Sequence, residues 1–127
     1  MEFGVSYPAR PDAWKDIVIA EDSGFSHAWF YDSQLLYSDI YACMALAAEH
    51  TNTIKLGTGV AIPSNRIAPV TAHSIATINL LAPGRTILGI GTGFTVKNIV
   101  TGICSCHMVT IFTTVHNYIS CDCYGFL

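Results

Sequence analysis

Charged residues are scarce in this sequence: they make up 12% of its 127 residues, and only six are lysine or arginine. With a formal net charge of −3, this scarcity argues against nucleic-acid binding, which needs a basic patch or stripe. No apolar run reaches the roughly 18–20 residues that cross a bilayer. The N-terminus carries Glu2 and no basic segment before an apolar stretch, so no secretory signal is expected. We therefore expect a soluble cytoplasmic protein without nucleic-acid or membrane partners.

Charge and cysteine are distributed unevenly along the chain. Of the 15 charged residues (6 basic and 9 acidic), 14 lie within residues 1–97, and only Asp122 lies beyond. Cysteine shows the reverse pattern, because four of the five cysteines fall in the last 24 residues. The chain therefore divides into a body, residues 1–95, and an unrelated low-charge tail rich in Cys and Thr, residues 96–127.

The body alternates between strand and helix patterns. Strands are predicted at 2–7, 27–32, 53–62 and 86–93, and helices at 13–25, 39–51 and 67–81. This order predicts an α/β fold with four parallel strands and right-handed crossovers. Both a doubly wound sheet and part of a barrel fit the order, and periodicity does not choose between them. A complete (β/α)8 barrel takes about 250 residues, so this chain would hold close to half of one.

Helix ends carry recognisable signals. Asp12 is predicted to cap the first helix, and Gly24 to end it in a left-handed conformation. Asp39 stands at the start of the second helix, where its charge favours the helix N-terminus. The third helix is predicted to open at the Ala68–Pro69 pair, because proline suits the first turn.

Four segments of the body, in the same order and spacing, resemble the luciferase-like monooxygenase family. They are 21–32 (EDSGFSHAWFYD), 51–60 (TNTIKLGTGV), 65–69 (NRIAP) with 76–85 (ATINLLAPGR), and 88–93 (LGIGTG). Within that family the likeness is greatest to the deazaflavin-dependent methylenetetrahydromethanopterin reductase branch. The resemblance implies the first half of a (β/α)8 TIM barrel, with four parallel strands and three helices, followed by an atypical tail.

The resemblance also implies a function, namely a flavin- or deazaflavin-dependent oxidoreductase or monooxygenase that acts on paired donors and a small-molecule substrate. The cofactor would be reduced FMN or the 5-deazaflavin coenzyme, bound at the carboxyl ends of the strands, where barrel enzymes hold their sites. The residues that the resemblance places against the cofactor are Ser6, Tyr31, Thr58, Gly59, Val60, Gly91, Thr92 and Gly93.

Gly59–Val60 is expected to hold a non-proline cis peptide, which members of the family often have at the end of the third strand. A bulge there would lie against the ring system of the cofactor. The alternative is an ordinary glycine in a strand that needs close approach of its backbone.

Asp32 and Ser33 are the catalytic candidates. Asp32 ends an apolar strand, where it would bind substrate or transfer a proton; the alternative is a cap for the following loop or helix. Many deazaflavin relatives have histidine at the next position, and here it is Ser33. That departure weakens the case for histidine acid–base chemistry and leaves the cofactor open between FMN and deazaflavin.

Several other residues have competing interpretations. The glycines of 89–93 suggest a dinucleotide loop, but Phe94 stands where that pattern needs glycine, so close backbone approach is the simpler hypothesis. Arg66 would contact an anion or lie in solvent, and Arg85 is expected to stabilise a helix-to-strand turn at the opposite rim. Structural roles are also the simpler expectation for Cys43 and for His27, His50 and His73.

The tail and the missing half of the barrel suggest two further functions. One is a metal-binding module built from Cys104, Cys106, His107, His116, Cys121 and Cys123, although C-x-C pairs are not the usual zinc spacing. The other is an inactive fragment, or a half-barrel that needs a partner half. In either case the first and fourth strands would have unpaired edges, which would favour association between copies of the chain.

Overall fold

A computed structural model describes residues 1–91 and 93, together with the backbone of residues 111–114. Strands and helices alternate through the body as the sequence predicts. Their bounds are β1 Gly4–Pro8, α1 Ala13–Asp22, β2 His27–Tyr31, α2 Ile40–His50, β3 Lys55–Thr58, α3 Ala68–Leu81 and β4 Thr86–Ile90. A short 3-10 turn, Pro63–Asn65, precedes α3, and a last strand, β5, covers Ile111–Thr114.

The first four strands form a parallel sheet in chain order, β1-β2-β3-β4. Because the order never reverses, right-handed crossovers place all three helices on the same face of the sheet. A doubly wound sheet would need a reversal, so the topology is that of part of a barrel. The predicted fold, four parallel strands with three helices, is confirmed.

The edge of β4 departs from the prediction. An unpaired edge was expected there, but β5 pairs with β4 in the antiparallel direction, from Ile87 opposite Thr114 to Ile90 opposite Ile111. The sequence of β5, IFTT, is rich in β-branched residues, which favour strands. The expectation of an unpaired edge at β4 was therefore wrong.

The hydrophobic core lies between the sheet and the helices. Phe30 and Leu56 reach it from the strands, and Ile17, Met44 and Ile75 from the three helices, and all five are essentially inaccessible to solvent. Cys43 is also buried in this core, as expected. One contiguous core therefore holds the helical layer against the sheet.

The helix ends are only partly as predicted. Gly24 and Gly84 have positive φ angles of 86° and 73°, which glycine adopts readily. Asp39 caps α2 by accepting a hydrogen bond from Ala42 N at 2.9 Å. Asp12 occupies the N-cap position of α1 but makes no capping hydrogen bond, and its carboxylate instead lies 3.4 Å from Arg10 Nε.

Arg85 stabilises a helix-to-strand turn at the amino rim, as expected. Its guanidinium donates to the carbonyl oxygens of Ala48 (3.3 Å), Thr51 (3.0 Å) and Ile54 (3.0 Å), and also to the Thr51 hydroxyl (3.0 Å). These carbonyls end α2 and lead into β3, where helical partners run out. Burial lowers the pKa of Arg85, although the charge of Glu21 opposes that shift.

Candidate active site

The carboxyl ends of β1 to β4 meet at one rim of the sheet. Pro8 pairs with Tyr31 and Phe30 pairs with Thr58 at this end, and Ala61 bridges to Ile90. The segments that follow these strands therefore start close together. This rim brings together the predicted site positions from Ser6 to Gly91, whereas Thr92 lies outside the described residues.

A bulge interrupts the pairing of β3 with β4 at this rim. Gly57 pairs with Ile87, and the next bridge joins Ala61 to Ile90, so four steps along one chain match three along the other. One extra residue in a strand is a β-bulge, a feature common next to functional sites. The peptide bond between Gly59 and Val60, within the bulge, is cis, as the sequence analysis expected.

The side chain of Thr58 closes the gap that the bulge leaves. Its hydroxyl donates to the Gly89 carbonyl at 2.8 Å and accepts from the Gly89 amide at 2.9 Å, and the residue is fully buried. These two bonds replace the backbone pair that the bulge removes from the ladder. The hydroxyl thus joins β3 to β4, and it does not face the open rim.

The glycines at the end of β4 make room for neighbouring side chains. A Cβ atom at Gly91 would lie 3.0 Å from Cγ2 of Val60, and one at Gly93 would overlap the side chain of Ile62. Gly93 also has a φ of 72°, which glycine tolerates best. Close packing against the bulge therefore accounts for these glycines, as the sequence analysis favoured over a dinucleotide loop.

Trp29 covers the face of the sheet opposite the helices, and sequence reasoning missed it. A Cβ atom at Gly57 would lie 2.5 Å from Cζ3 of Trp29, and one at Gly4 would lie 3.0 Å from its Nε1. The indole therefore lies across β1, β2 and β3, over two glycines. Beside it toward the rim, Ser6 and Tyr31 are exposed. Gly57, which is in register with Trp29 on the neighbouring strand, was the available signal.

Asp32 holds the loop that follows β3. Its Oδ2 accepts a hydrogen bond from Ile62 N at 2.9 Å and another from Asn65 Nδ2 at 3.2 Å. Asn65 Nδ2 also donates to Gln34 Oε1 at 2.9 Å. The carboxylate thus contacts a loop about 30 residues away, whereas a cap of its own loop had been the structural alternative. Ser33 begins a turn, since its carbonyl accepts from the amides of Leu36 and Tyr37, at 3.1 and 2.8 Å.

Arg66 is neither a free anion-binding group nor a solvated loop side chain. Its guanidinium forms an ion pair with Asp39, the N-cap of α2, and lies 4.6 Å from the ring centroid of Tyr41. Burial raises the pKa of Tyr41; a hydrogen bond with Thr71 opposes the shift, and the charge of Asp32 adds to it. Arg66 therefore joins the start of α3 to the start of α2.

Two of the three histidines of the body, His27 and His50, contact neighbouring side chains. His27 shares a 2.8 Å hydrogen bond with Ser26 Oγ and stacks on Trp29, and His50 stacks on Trp14 with ring centroids 3.9 Å apart.

Over residues 1–91 and 93, no three His, Cys, Asp or Glu side chains are grouped so that they could hold a metal ion. The cysteines and histidines of the tail lie outside the described residues. None of the described helices is long and apolar enough to span a bilayer.

Comparison with known proteins agrees with this geometry. Four parallel strands with helices on one face and a bulged rim define part of a (β/α)8 barrel. The family model for luciferase-like monooxygenases matches residues 1–102. The chain belongs to this family.

Three relatives show how far the similarity extends. The 5,10-methylenetetrahydromethanopterin reductase of Archaeoglobus fulgidus is 42% identical over 96 residues, which are 73% of this chain and 29% of the relative. The structure of the coenzyme F420 dependent tetrahydromethanopterin reductase of Methanopyrus kandleri matches with a TM-score of 0.73 and 34% identity, over 81% of this chain and 30% of that one.

A third match shows the fold alone. The oxygenating constituent of 3,6-diketocamphane monooxygenase from Pseudomonas putida, in complex with FMN, has a TM-score of 0.70 at 22% identity, over 81% of this chain and 33% of that one. The chain therefore spans about a third or less of the length of the relatives it matches.

Proposed function

We propose that this chain supplies the first part of the cofactor site of a deazaflavin-dependent oxidoreductase, which transfers hydride between coenzyme F420 and a small-molecule substrate. The sequence alone left reduced FMN and the 5-deazaflavin coenzyme open. The relatives with 42% and 34% identity are tetrahydromethanopterin-type reductases, one of them described as dependent on coenzyme F420. The FMN complex matches at only 22% identity, so deazaflavin is the better-supported cofactor.

The observation that carries this proposal is the bulge at 58–61. It lies beside Trp29, on the face of the sheet opposite the helices. A flat ring system needs an apolar surface with a few polar groups at its edge. The indole of Trp29 and the side chain of Val60 provide the apolar part. Exposed Ser6 and Tyr31 provide hydroxyls near the same rim. The described residues therefore fit the ring of either cofactor.

The bound cofactor supplies the hydride chemistry, and the protein orients and shields it. In this chain the backbone at Gly59 and Val60 would border the ring, and Thr58 keeps that backbone in place through Gly89. Ser33 stands where many deazaflavin relatives have histidine, so it would offer a hydroxyl in place of an imidazole to the bound cofactor.

The test is a titration of the full chain with F420, and in parallel with FMN, followed by tryptophan fluorescence. Trp29 lies on the open face, whereas Trp14 stacks on His50 in the helical layer. In the Trp14→Phe variant all tryptophan fluorescence comes from Trp29, and we expect F420 to quench that fluorescence. The Trp29→Phe variant, the matched control, should be quenched much less. Tighter binding of FMN than of F420 would overturn the choice of cofactor. A folded chain that binds neither would overturn the proposal.

A second candidate is a half-barrel that acts only with a partner half. It is supported by apolar side chains that lie exposed on and beside α3, since Ile67 is 70% and Leu80 is 81% accessible. Exposed apolar surface of this kind favours association. Sedimentation velocity over a wide range of concentrations tests it: a size that rises with concentration is expected. A monomer at every concentration that still binds cofactor would contradict it.

A further inference from the structure

The hydrogen bonds of Asp32 and Asn65 connect two loops at the rim. Asp32 follows β2 directly, and its carboxylate accepts from Ile62 N and from Asn65 Nδ2 at 2.9 and 3.2 Å. Asn65 Nδ2 reaches Gln34 Oε1 at 2.9 Å, so a second residue after β2 takes part. We call these four residues, Asp32, Gln34, Ile62 and Asn65, the rim lock.

The bond to Ile62 matters because Ile62 is the residue before the 3-10 turn Pro63–Asn65. Its side chain is buried, with 6% of its surface accessible, and it lies against Gly93 at the end of β4. The first amides of a helical turn have no partner within the turn. A buried amide without an acceptor destabilises the fold, and the Asp32 carboxylate supplies this acceptor.

Ile62 is also the residue directly after the bulge at 58–61. Ala61 is held to β4 through Gly89 and Gly91, at 2.7 and 3.1 Å, and Ile62 is held to β2 through Asp32. The far side of the bulge is thus fixed from both neighbouring strands. A loss of the second attachment would leave Ile62 without its hydrogen bond to the end of β2.

We propose that Asp32 is a positioning residue, whose carboxylate locks the loop after β3 to the end of β2 and so holds the bulge at Gly59–Val60 in place. Asn65 and Gln34 complete the lock. This assignment replaces a proton-transfer role for Asp32. Its consequence for cofactor affinity rests on the function proposed above, but the lock itself does not.

Asparagine at position 32 separates the two roles. Asp32→Asn keeps one side-chain oxygen that can accept from both Ile62 N and Asn65 Nδ2, but it cannot transfer a proton as a carboxylate does. Asp32→Ala removes the acceptor altogether. Asn65→Ala removes the second donor and leaves the Ile62 bond intact. Asp22→Asn, at the exposed end of α1, is the matched control for loss of one negative charge.

The first measurement is amide hydrogen exchange at Ile62 in the full chain, without cofactor. We expect Asp32→Ala to speed exchange there about tenfold or more, and Asp32→Asn and Asp22→Asn to stay within about threefold of the parent chain. Unchanged protection in a folded Asp32→Ala variant would overturn the lock. If that variant does not fold, Asn65→Ala decides, because it should speed exchange at the amides of positions 64 and 65 while Ile62 stays protected.

The second measurement is F420 affinity by fluorescence. Asp32→Ala and Asn65→Ala should bind more weakly, by about tenfold and about threefold, and Asp32→Asn should restore most of the affinity. Equal losses in Asp32→Asn and Asp32→Ala, with Ile62 still protected in the first, would show that the charge matters and would overturn the positioning role. Failure of the parent chain to bind F420 would overturn the proposed function, and the exchange measurement would still decide the lock.

Discussion

Replacement of Glu21 by glutamine tests how the amino rim of the sheet is stabilised. The Glu21 carboxylate, in the last turn of α1, accepts from three consecutive backbone amides, those of Asn52, Thr53 and Ile54, and from the Thr53 hydroxyl. It thereby holds the turn between α2 and β3, more than 30 residues further along the chain. Glutamine keeps an oxygen of the same size but removes the charge.

The expected loss follows from the strength of these bonds. Hydrogen bonds to a charged group contribute about 1.5–3 kcal/mol each, against about 0.5–1.5 for neutral ones. Most of the Glu21 bonds lie at the surface, where hydrogen bonds to water compensate for much of what the substitution removes. We therefore expect Glu21→Gln to lower the free energy of unfolding by about 1–2 kcal/mol. Glu21→Ala should lower it by about 2–3 kcal/mol.

The loss should depend on pH. Burial opposes ionisation of Glu21, but the hydrogen bonds from Ile54, Thr53 and Asn52 outweigh it, and the pKa of Glu21 lies below its ordinary value. A group whose pKa is lowered by folding stabilises the protein above its unfolded pKa, about 4.3 for glutamate, and loses that effect as pH falls through the folded value. The parent chain and Glu21→Gln should therefore differ fully at pH 7 and converge below about pH 4.

Urea unfolding followed by far-ultraviolet circular dichroism, from pH 7 to pH 3, measures this difference. Glu49→Gln, an exposed change on α2, is the control and should unfold like the parent chain at each pH. A Glu21→Gln variant as stable as the parent chain at pH 7 would refute the reasoning. So would a difference of constant size across the whole range.

Three other changes test contacts within the sheet and at its amino rim, each by urea unfolding. Thr58→Val should cost about 1–3 kcal/mol, because it leaves the buried Gly89 amide and carbonyl without a partner, and Thr58→Ser should recover most of that loss. Gly57→Ala should cost about 1–3 kcal/mol by forcing the indole of Trp29 away, and little in a Trp29→Leu background; equal costs in both would contradict the packing described. Arg85→Met should cost about 2–4 kcal/mol through the carbonyls at the end of α2, and a loss below about 0.5 kcal/mol would show that water replaces the guanidinium.

Much of the fold could be predicted because its signals are local. The strand patterns at 27–32 and 53–62, the helix pattern at 39–51 and the left-handed glycine at Gly24 each depend on neighbours a few residues away. The structure differs where a distant partner intervenes. Asp12 turns to Arg10 instead of capping α1, and β5 pairs with an edge of β4 that was expected to stay open.

The sequence predicted that the site lies at the carboxyl ends of the strands. It did not predict which residues contact one another there. The family resemblance implied that Asp32 and a bulge at Gly59–Val60 lie at this rim. The partners of Asp32 were not predictable, because they lie about 30 residues along the chain and meet it only when β2 and β3 pair. Trp29 was missed for the same reason, since its glycine neighbours are on other strands.

The sequence itself determined the order of strands and helices, the parallel direction of the strands and the family, because periodicity and turn residues act over short distances. Only the tertiary structure decided which faces and hydrogen bonds those elements share. It set Thr58 between β3 and β4, Glu21 against the turn before β3, and Asp32 against Ile62. Each of these contacts depends on the register between strands, and register is set by packing of the whole sheet rather than by any one segment.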